Sequence, residues 1–355
     1  MDLAAETASL SARQPAEAIA AAERPMDRPM DRQVVRSLLA GIGGYLPETV
    51  VSNDELARTV DTCDAWIRER TGILQRHIAM PHETCAYMAT RAAQAALADA
   101  GATAADVDAI ILATATPDQA FPATALRVQA ALGCGGFGFD LSAACSGFIY
   151  ALSVADGMIR SGQARGVLVI GSEVYSRIMN WQDRGTCVLF GDGAGAVLLT
   201  AGSGGGTGAD RGILSTHLHA DGRLGDILYV DGAVGRADRP GHLVMQGKEV
   251  FRHAVVRLAG AVDEALAANG LDHSAVDWLV PHQANMRIVD AIAKRLALPV
   301  GRVVVTIDRH ANTSAASIPL AMAEAHGQGR FQPGQVLLLS ALGGGLTWGS
   351  ALIRL

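Results

Sequence analysis

Three residues of this chain have the types and settings that nucleophilic acyl chemistry needs. Cys145 lies in Phe139-Asp-Leu-Ser-Ala-Ala-Cys-Ser-Gly-Phe148, where an apolar strand ends, small residues turn and a helix begins. A thiol at a helix N-terminus faces the positive end of the dipole, which favours thiolate and lowers its pKa. Ser146 and Gly147 leave it uncrowded. The competing reading, a buried structural cysteine, is assigned to Cys63, Cys85, Cys134 and Cys187, which lack this setting. His282, in Val280-Pro-His-Gln-Ala-Asn285, falls where a strand runs out. Open α/β sheets place ligands at the carboxyl ends of parallel strands, although a lone histidine is as readily structural. Asn312, in Arg309-His-Ala-Asn-Thr-Ser-Ala-Ala-Ser317, marks a second junction of strand and small-residue helix. Its ordinary role there would be an N-cap.

An internal repeat supplies the elements that position these groups. At an offset of 169 residues, Leu97 matches Leu266, Gly101 matches Gly270, Val107 matches Val276 and Asp108 matches Asp277. The same offset pairs Val167-Leu-Val-Ile170 with Val336-Leu-Leu-Leu339. Duplication predicts a pseudo-twofold that brings two helix starts together, with Cys145 and Asn312 across one pocket. In the first half the pattern predicts strands at 36–43, 108–114, 137–141 and 166–171, and helices at 53–69, 84–100, 122–132 and 145–160. In the second it predicts helices at 248–268, 285–297 and 313–326, and strands at 277–280, 302–307, 335–340 and 347–353. Such alternation implies an α/β fold with mostly parallel sheets covered by helices. Gly202–Gly208 is the natural joint, giving halves of 34–205 and 206–355. The small residues of helices 145–160 and 313–326 suit a central layer packed on both sides.

Composition bounds the rest. The chain has 355 residues, 50% hydrophobic and 18% charged, with 40 glycines. This excludes disorder, collagen and coiled coil, and leaves ample length for an apolar core. The net charge of −6 gives no reason to expect nucleic acid. Five scattered cysteines without a C-x-x-C motif read as a reduced, cytoplasmic protein. No apolar run approaches the roughly 20 residues of a membrane helix. Residues 1–33 carry six acidic and four basic side chains and the near-repeat Met26-Asp-Arg-Pro-Met30-Asp-Arg. They read as a flexible extension rather than a signal peptide, with Met26 and Met30 as alternative starts.

Other runs carry less chemistry. Gly41-Ile-Gly-Gly44, Gly191-Asp-Gly-Ala-Gly195 and Gly343-Gly-Gly345 lack the strand–helix context of a nucleotide fingerprint. Close backbone packing or N–H groups aimed at an oxyanion suit them better. His217 and His219 alternate as a strand would, sharing a face, with no third metal ligand suggested. Arg287, Lys294 and Arg295 fall on one helical stripe, with Arg252 and Arg257 on the preceding helix. A solvated helix face is the usual meaning of such charges; a stripe that begins five residues after His282 also suits a basic rim beside the pocket.

The motifs from about residue 35 onward resemble β-ketoacyl-acyl-carrier-protein synthase III, a thiolase-like condensing enzyme of type II fatty-acid synthesis. The carriers are Ala143-Ala-Cys-Ser-Gly-Phe148, Phe190-Gly-Asp-Gly-Ala-Gly-Ala196, Pro281-His-Gln-Ala-Asn285, Asn312-Thr-Ser-Ala-Ala-Ser317 and Gly343-Gly-Gly-Leu-Thr-Trp-Gly-Ser350. The resemblance implies a duplicated five-layered fold (α-β-α-β-α), a homodimer, and no metal or redox cofactor. Cys145 would accept the acyl group of an acyl-CoA. His282 and Asn312 would stabilise the enolate formed from the malonyl-carrier protein, and backbone N–H groups of Cys145 and Gly345 would form the oxyanion hole. Trp66, Arg70 and Arg184 would contact CoA, with the adenine between Trp66 and Arg184, and Asn285 would line the pantetheine channel. Phe121 would close the partner's acyl pocket, implying a short primer. Arg252, Arg287, Lys294 and Arg295 would dock the acyl carrier protein. Ser146 and Ala311 depart from the family's usual Ala and Gly. Two further readings stay open: a specialised-metabolism relative with another acyl donor or acceptor, and a silent scaffold, against which the intact Cys145, His282 and Asn312 argue.

Overall fold

Runs of Val, Ile and Leu bounded by glycine form the strands, and alanine-rich segments form the helices between them. The computed structural model describes residues 35–203, 211–232 and 241–355. The extension expected at 1–33 and most of the expected joint, including the boundary at 205/206, lie outside the described residues. The first half runs β1 (Val35–Tyr45), β2 (Val50–Ser52), α1 (Asn53–Leu56), α2 (Asp64–Thr71), β3 (Gln75–His77), α3 (Cys85–Asp99), β4 (Ala109–Ala113), α4 (Thr124–Leu132), β5 (Phe137–Leu141), α5 (Gly147–Arg160), β6 (Gly166–Glu173) and β7 (Gly193–Ser203). The second runs β8 (Gly212–Ala220), β9 (Leu228–Val230), β10 (Leu243–Met245), α6 (Gly247–Ala268), β11 (Trp278–Pro281), α7 (Met286–Arg295), α8 (Ile307–His310), α9 (Ser317–Gly327), β12 (Val336–Gly343) and β13 (Thr347–Arg354).

Two main sheets, ordered β1-β7-β6-β4-β5 and β11-β12-β13-β8, each draw on one half of the chain. Helices α5 and α9 fill the space between them, while α3 and α4 cover the outer face of the first sheet and α6 and α7 that of the second. This is the expected thiolase-like stack of five layers. The central helices bury apolar side chains on several sides, as a helix enclosed by two sheets must. Ala151, Ala155, Ala321 and Ala325 are wholly or almost wholly buried. Glycine serves close approach in β1, where a Cβ on Gly43 would lie 2.3 Å from the backbone nitrogen of Ala96 in α3.

Four expectations are corrected. The sheets are mixed rather than mostly parallel: β4–β5, β4–β6 and β11–β12 are parallel, but β1–β7, β6–β7, β12–β13 and β13–β8 are antiparallel. The strands that close each half, β7 and β13, return without a covering crossover helix. The helix expected over 53–69 breaks into α1 and α2. Leu56, Val60 and Ile67 still reach one apolar cluster, so packing satisfies their helical spacing without a continuous helix. The strand expected over 302–307 forms only a bridge, Leu279 to Val303. Beyond it the buried Gln283 side chain stands in for a neighbouring strand, accepting from the N–H groups of Thr306 (2.9 Å) and Ile307 (3.1 Å) and donating to the Val304 carbonyl (3.1 Å). Finally, the repeat offset grows by one along the chain. Ala109 pairs with Val167 as Trp278 pairs with Leu337, which makes Val167 equivalent to Leu337 rather than Val336. Val167, Val169, Leu337 and Leu339 all face the central layer.

Candidate active site

The two central helices begin in the same way. A 3-10 turn at Ala144–Ser146 leads into α5, and one at Ser314–Ala316 leads into α9, an offset of 170. Each turn opens on a non-glycine residue with positive φ, Ala144 at 46° and Ser314 at 50°, and strain of this kind collects at functional sites. The duplication therefore places the Cys145 and Asn312 junctions together, as expected. Cys145, His282 and Asn312 are each 5% exposed and line one cavity of about 430 Å³.

The nucleophile turn is pinned across the molecule. Ser146 Oγ donates to the Ala143 carbonyl (2.8 Å) and shares a hydroxyl–hydroxyl hydrogen bond with Thr347 Oγ1 (2.7 Å). A Cβ on Gly343 would meet the Cys145 nitrogen at 2.6 Å, so β12 ends directly against the turn. Gly345, two residues further, has φ 139°. Burial pushes the Cys145 thiol up to about 12, against a hydrogen bond from Ser314 that pulls it down, while Glu173 adds to the rise. The lowered pKa expected from the helix terminus is thus overturned for the resting site: desolvation outweighs the dipole.

The two polar groups opposite are held in defined orientations. His282 sits just past β11, and its backbone N–H donates to the Ser340 carbonyl (2.8 Å). Ser317 Oγ accepts from the Gln283 N–H (3.4 Å) and lies 2.6 Å from His282 Nδ1. We assign the serine hydroxyl as donor to Nδ1, which puts the ring proton on Nε2, the nitrogen left without a partner among the described residues. Burial lowers the His282 pKa to about 3, so the ring is neutral. Asn312 Oδ1 accepts from the Ser314 N–H (2.9 Å), leaving its NH₂ group available to the cavity. Leu189 and Gly191 hold its backbone (2.9 and 3.0 Å). The arrangement offers a thiol and two neutral hydrogen-bond donors, all three buried, on one cavity, suited to stabilising negative charge on a carbonyl oxygen.

Trp66, Arg70, Asn285 and Arg287 line the same cavity. Asn285 caps α7 through the Arg287 N–H (2.9 Å) and donates to the Arg70 carbonyl (3.0 Å). The guanidinium carbons of Arg70 and Arg184 lie 4.5 and 5.3 Å from the Trp66 ring centre. Phe121 stands apart from the cavity, 84% exposed. Of the four cations expected to dock a carrier protein, Arg252 pairs with Glu249 (2.5 Å) and Arg295 with Asp263 (2.7 Å). Exposed pairs like these contribute little to stability and exchange partners readily. His217 and His219 share a face as expected, both meeting Glu264 (3.3 and 2.6 Å).

Several contributors escape the sequence reading. Ser317 closes the Asn312 motif without a role that its spacing suggests. Lys248 and Phe251, at the start of α6, line the cavity. Glu173, Ser314 and Tyr175 form a buried cluster beside Cys145. A carboxylate closing the otherwise apolar run Gly166–Glu173, at the carboxyl end of a strand, is the signal that could have found it.

Comparison with known proteins agrees with this geometry. Two family models match, 3-oxoacyl-[acyl-carrier-protein (ACP)] synthase III over residues 139–222 and its C-terminal part over 266–355. The chain is 68% identical over 320 residues to the β-ketoacyl-[acyl-carrier-protein] synthase III of Acidiphilium cryptum, covering 90% of this chain and 99% of that protein. It is 66% identical over 321 residues to that of Granulibacter bethesdensis, with the same coverage. Among solved structures it is similar to the 3-oxoacyl-[acyl-carrier-protein] synthase III from Aquifex aeolicus (TM-score 0.83, 46% identity, 90% of this chain and 100% of that one). It is also similar to the priming β-ketosynthase of the R1128 polyketide pathway (TM-score 0.86, 35% identity, 93% and 99%).

Proposed function

Because the chain belongs to the β-ketoacyl-[acyl-carrier-protein] synthase III family, we propose that its condensation runs through Cys145, with His282 and Asn312 as the paired donors. The protein is an acyltransferase that initiates fatty-acid synthesis. In the first half-reaction Cys145 attacks the carbonyl of a short acyl-CoA, acetyl-CoA in this reading, and CoA leaves. Backbone N–H groups of Cys145 and Gly345 receive the oxyanion. In the second, the malonyl group of the carrier protein enters, and His282 Nε2–H and Asn312 Nδ2–H donate to its thioester oxygen as CO₂ departs. The enolate carbon then attacks the acyl-cysteine, giving the 3-oxoacyl-carrier protein. Splitting the reaction lets one site perform transfer and carbanion attack in turn. The chemistry so written draws on no metal or redox group.

One observation carries this reading: a thiol and two neutral donors share one buried cavity, with Ser317 and the Ser314 N–H fixing which ends of His282 and Asn312 donate. A positively charged histidine would bind the malonyl carboxylate and retard its loss. The neutral ring, held so by burial, stabilises the enolate without doing so.

Around this centre, CoA would lie along Trp66, Arg70, Arg184 and Asn285. An adenine seated between Trp66 and Arg184 must separate side chains that otherwise stack on each other. The acidic carrier protein would dock on Arg252, Arg287, Lys294 and Arg295, exchanging the Glu249 and Asp263 carboxylates for its own. Exposed Phe121 would enter the second subunit of a homodimer and shorten its acyl pocket. Among the described residues no helix is long and apolar enough to cross a membrane, and we place the protein in the cytoplasm. Acetyl-CoA should leave a single acetyl adduct on Cys145 by mass spectrometry. Cys145→Ala should lose it, with condensation falling between about 10⁴- and 10⁶-fold. An adduct that survives the substitution overturns the assignment.

A further inference from the structure

The Glu173 carboxyl is completely buried at the end of β6. Oε2 accepts from Thr116 Oγ1 (2.6 Å) and Thr114 Oγ1 (3.2 Å), and both oxygens accept from the Ala115 N–H (3.2 and 3.1 Å). Oε1 accepts from Ser314 Oγ at 3.0 Å. Among the described residues it forms no ion pair. A buried carboxylate compensated only by hydroxyls and one amide is expensive, and a glutamine of the same shape would serve a purely structural purpose. The 3-10 turns that carry Ser314 and the nucleophile pack together, and the serine hydroxyl acts on the Cys145 thiol, pulling its pKa down. Tyr175 OH lies 3.0 Å from the same oxygen, and the tyrosine ring is held by stacking on Phe190 at 4.9 Å. Thiol, serine hydroxyl and carboxyl thus share one buried cluster, on a set of residues distinct from the His282 and Asn312 donors.

We propose that Ser314 relays the Cys145 proton to Glu173 as the thiol attacks, and relays it back when the cysteine is expelled in condensation. This rests on Cys145 being the acylated nucleophile. In the forward step Ser314 Oγ accepts the S–H proton and passes its own to Glu173 Oε1. The sulfur electron pair forms the bond to the acyl carbon, and the CoA sulfur leaves with the pair of the breaking bond and takes a proton from water. In the second half-reaction the C–Sγ bond breaks with its pair on sulfur, and the Glu173 proton returns through Ser314. Each turnover then consumes one solvent proton, as loss of CO₂ from a carboxylate requires. Ser314 touches the reacting atom; Glu173 acts through it as a positioning residue. Tyr175 donates to the relay oxygen and keeps its own proton, its pKa being driven up by burial. The other titratable groups facing Glu173 are Cys145 and, at the start of α3, Cys85 with the Asp118 carboxyl beyond it. Burial raises Glu173 itself to about 7, so it can take and return a proton near neutrality.

The test is single-turnover acetylation of Cys145 by acetyl-CoA, followed by quench and intact mass across about pH 5.5 to 9. The wild-type rate should climb with pH and level near 7. Glu173→Gln should be slower by roughly 10²-fold near pH 7 and keep climbing to about pH 9 without levelling, while its decarboxylation of malonyl-CoA stays near the wild-type rate. That second readout separates the relay from a general loss of structure. Should Glu173→Gln fail to fold, Ser314→Ala decides, since it removes the relay hydroxyl and leaves the carboxyl in place; the same slowing and the same loss of levelling at about pH 7 are expected. A wild-type pH profile in a folded variant overturns the relay alone. Wild-type protein that never acylates Cys145 overturns the functional reading and the relay with it.

Discussion

The Cys145 and Asn312 turns are copies of one motif, each a strained 3-10 turn entering a central helix, yet they are secured by different forces. The Asn312 turn is held by charge. Arg309 pairs with Asp308 (2.8 Å) and with Glu324 of α9, and His310 Nε2 lies 3.0 Å from the same glutamate. The hydrogen bond from His310 is the largest of the effects that hold Glu324 down at about 2. The Cys145 turn is held by neutral groups instead: the Ser146 and Thr347 hydroxyls, and the bare backbone of Gly343. An amide has no proton to lose at working pH, so charges can be packed near Asn312 without altering what it does. A thiol responds to every nearby charge. Beside it, the Glu173 carboxyl accepts from Ser314, and burial raises it to about 7. Duplication supplied the geometry twice; the chemistry of each half decided how it could be braced.

This contrast can be broken at several points. The largest effect after loss of the nucleophile is expected for Asn312→Ala, which should slow condensation by roughly 10²–10³-fold. Acetylation of Cys145 should be nearly unchanged. Equal loss in both half-reactions, measured by quenched acylation and by product formation, would show that the two turns do not divide the work as drawn. Gly343→Ala acts on the neutral brace. Its Cβ would sit 2.6 Å from the Cys145 nitrogen, and overpacking of this kind destabilises by about 1–3 kcal/mol. Acetylation should fall more than malonyl decarboxylation, with a lower Tm by calorimetry. The smallest effect is expected for Ala311→Gly on the charged side. Ala311 has φ 57° and ψ −158°, a conformation costing on the order of 1–3 kcal/mol for a residue with a Cβ. Glycine relieves that strain while losing roughly 0.5–1 kcal/mol of backbone entropy. A modest net rise in Tm with unchanged activity is expected, and a fall would show that the ion-pair cluster needs the methyl group.

Legibility in the sequence follows how local each cause is. The strand–small–helix grammar at Cys145 is visible because the elements that place it are its own neighbours. The helix over 53–69 misleads because Leu56, Val60 and Ile67 keep helical spacing although the chain breaks between α1 and α2; packing into one cluster does not require a continuous helix. The strand over 302–307 misleads because its hydrogen-bond partner, Gln283, is a side chain from some twenty residues away. Glu173 stays hidden because a carboxylate's environment depends on Thr116 and Ser314, which no local window joins to it.

Residue order alone determined the family, the duplicated halves, and the thiol, imidazole and amide that meet at the centre, since motif spacing and apolar periodicity are local properties. The tertiary structure decided the protonation states and orientations. Cys145 rests as a thiol and His282 as a neutral ring because both are desolvated. Ser317 lies against the histidine's Nδ1, and Ser314, from the second half of the chain, donates to the Glu173 carboxyl of the first. Burial and hydrogen-bond geometry belong to no single stretch of sequence. They exist only once the two halves have closed on each other.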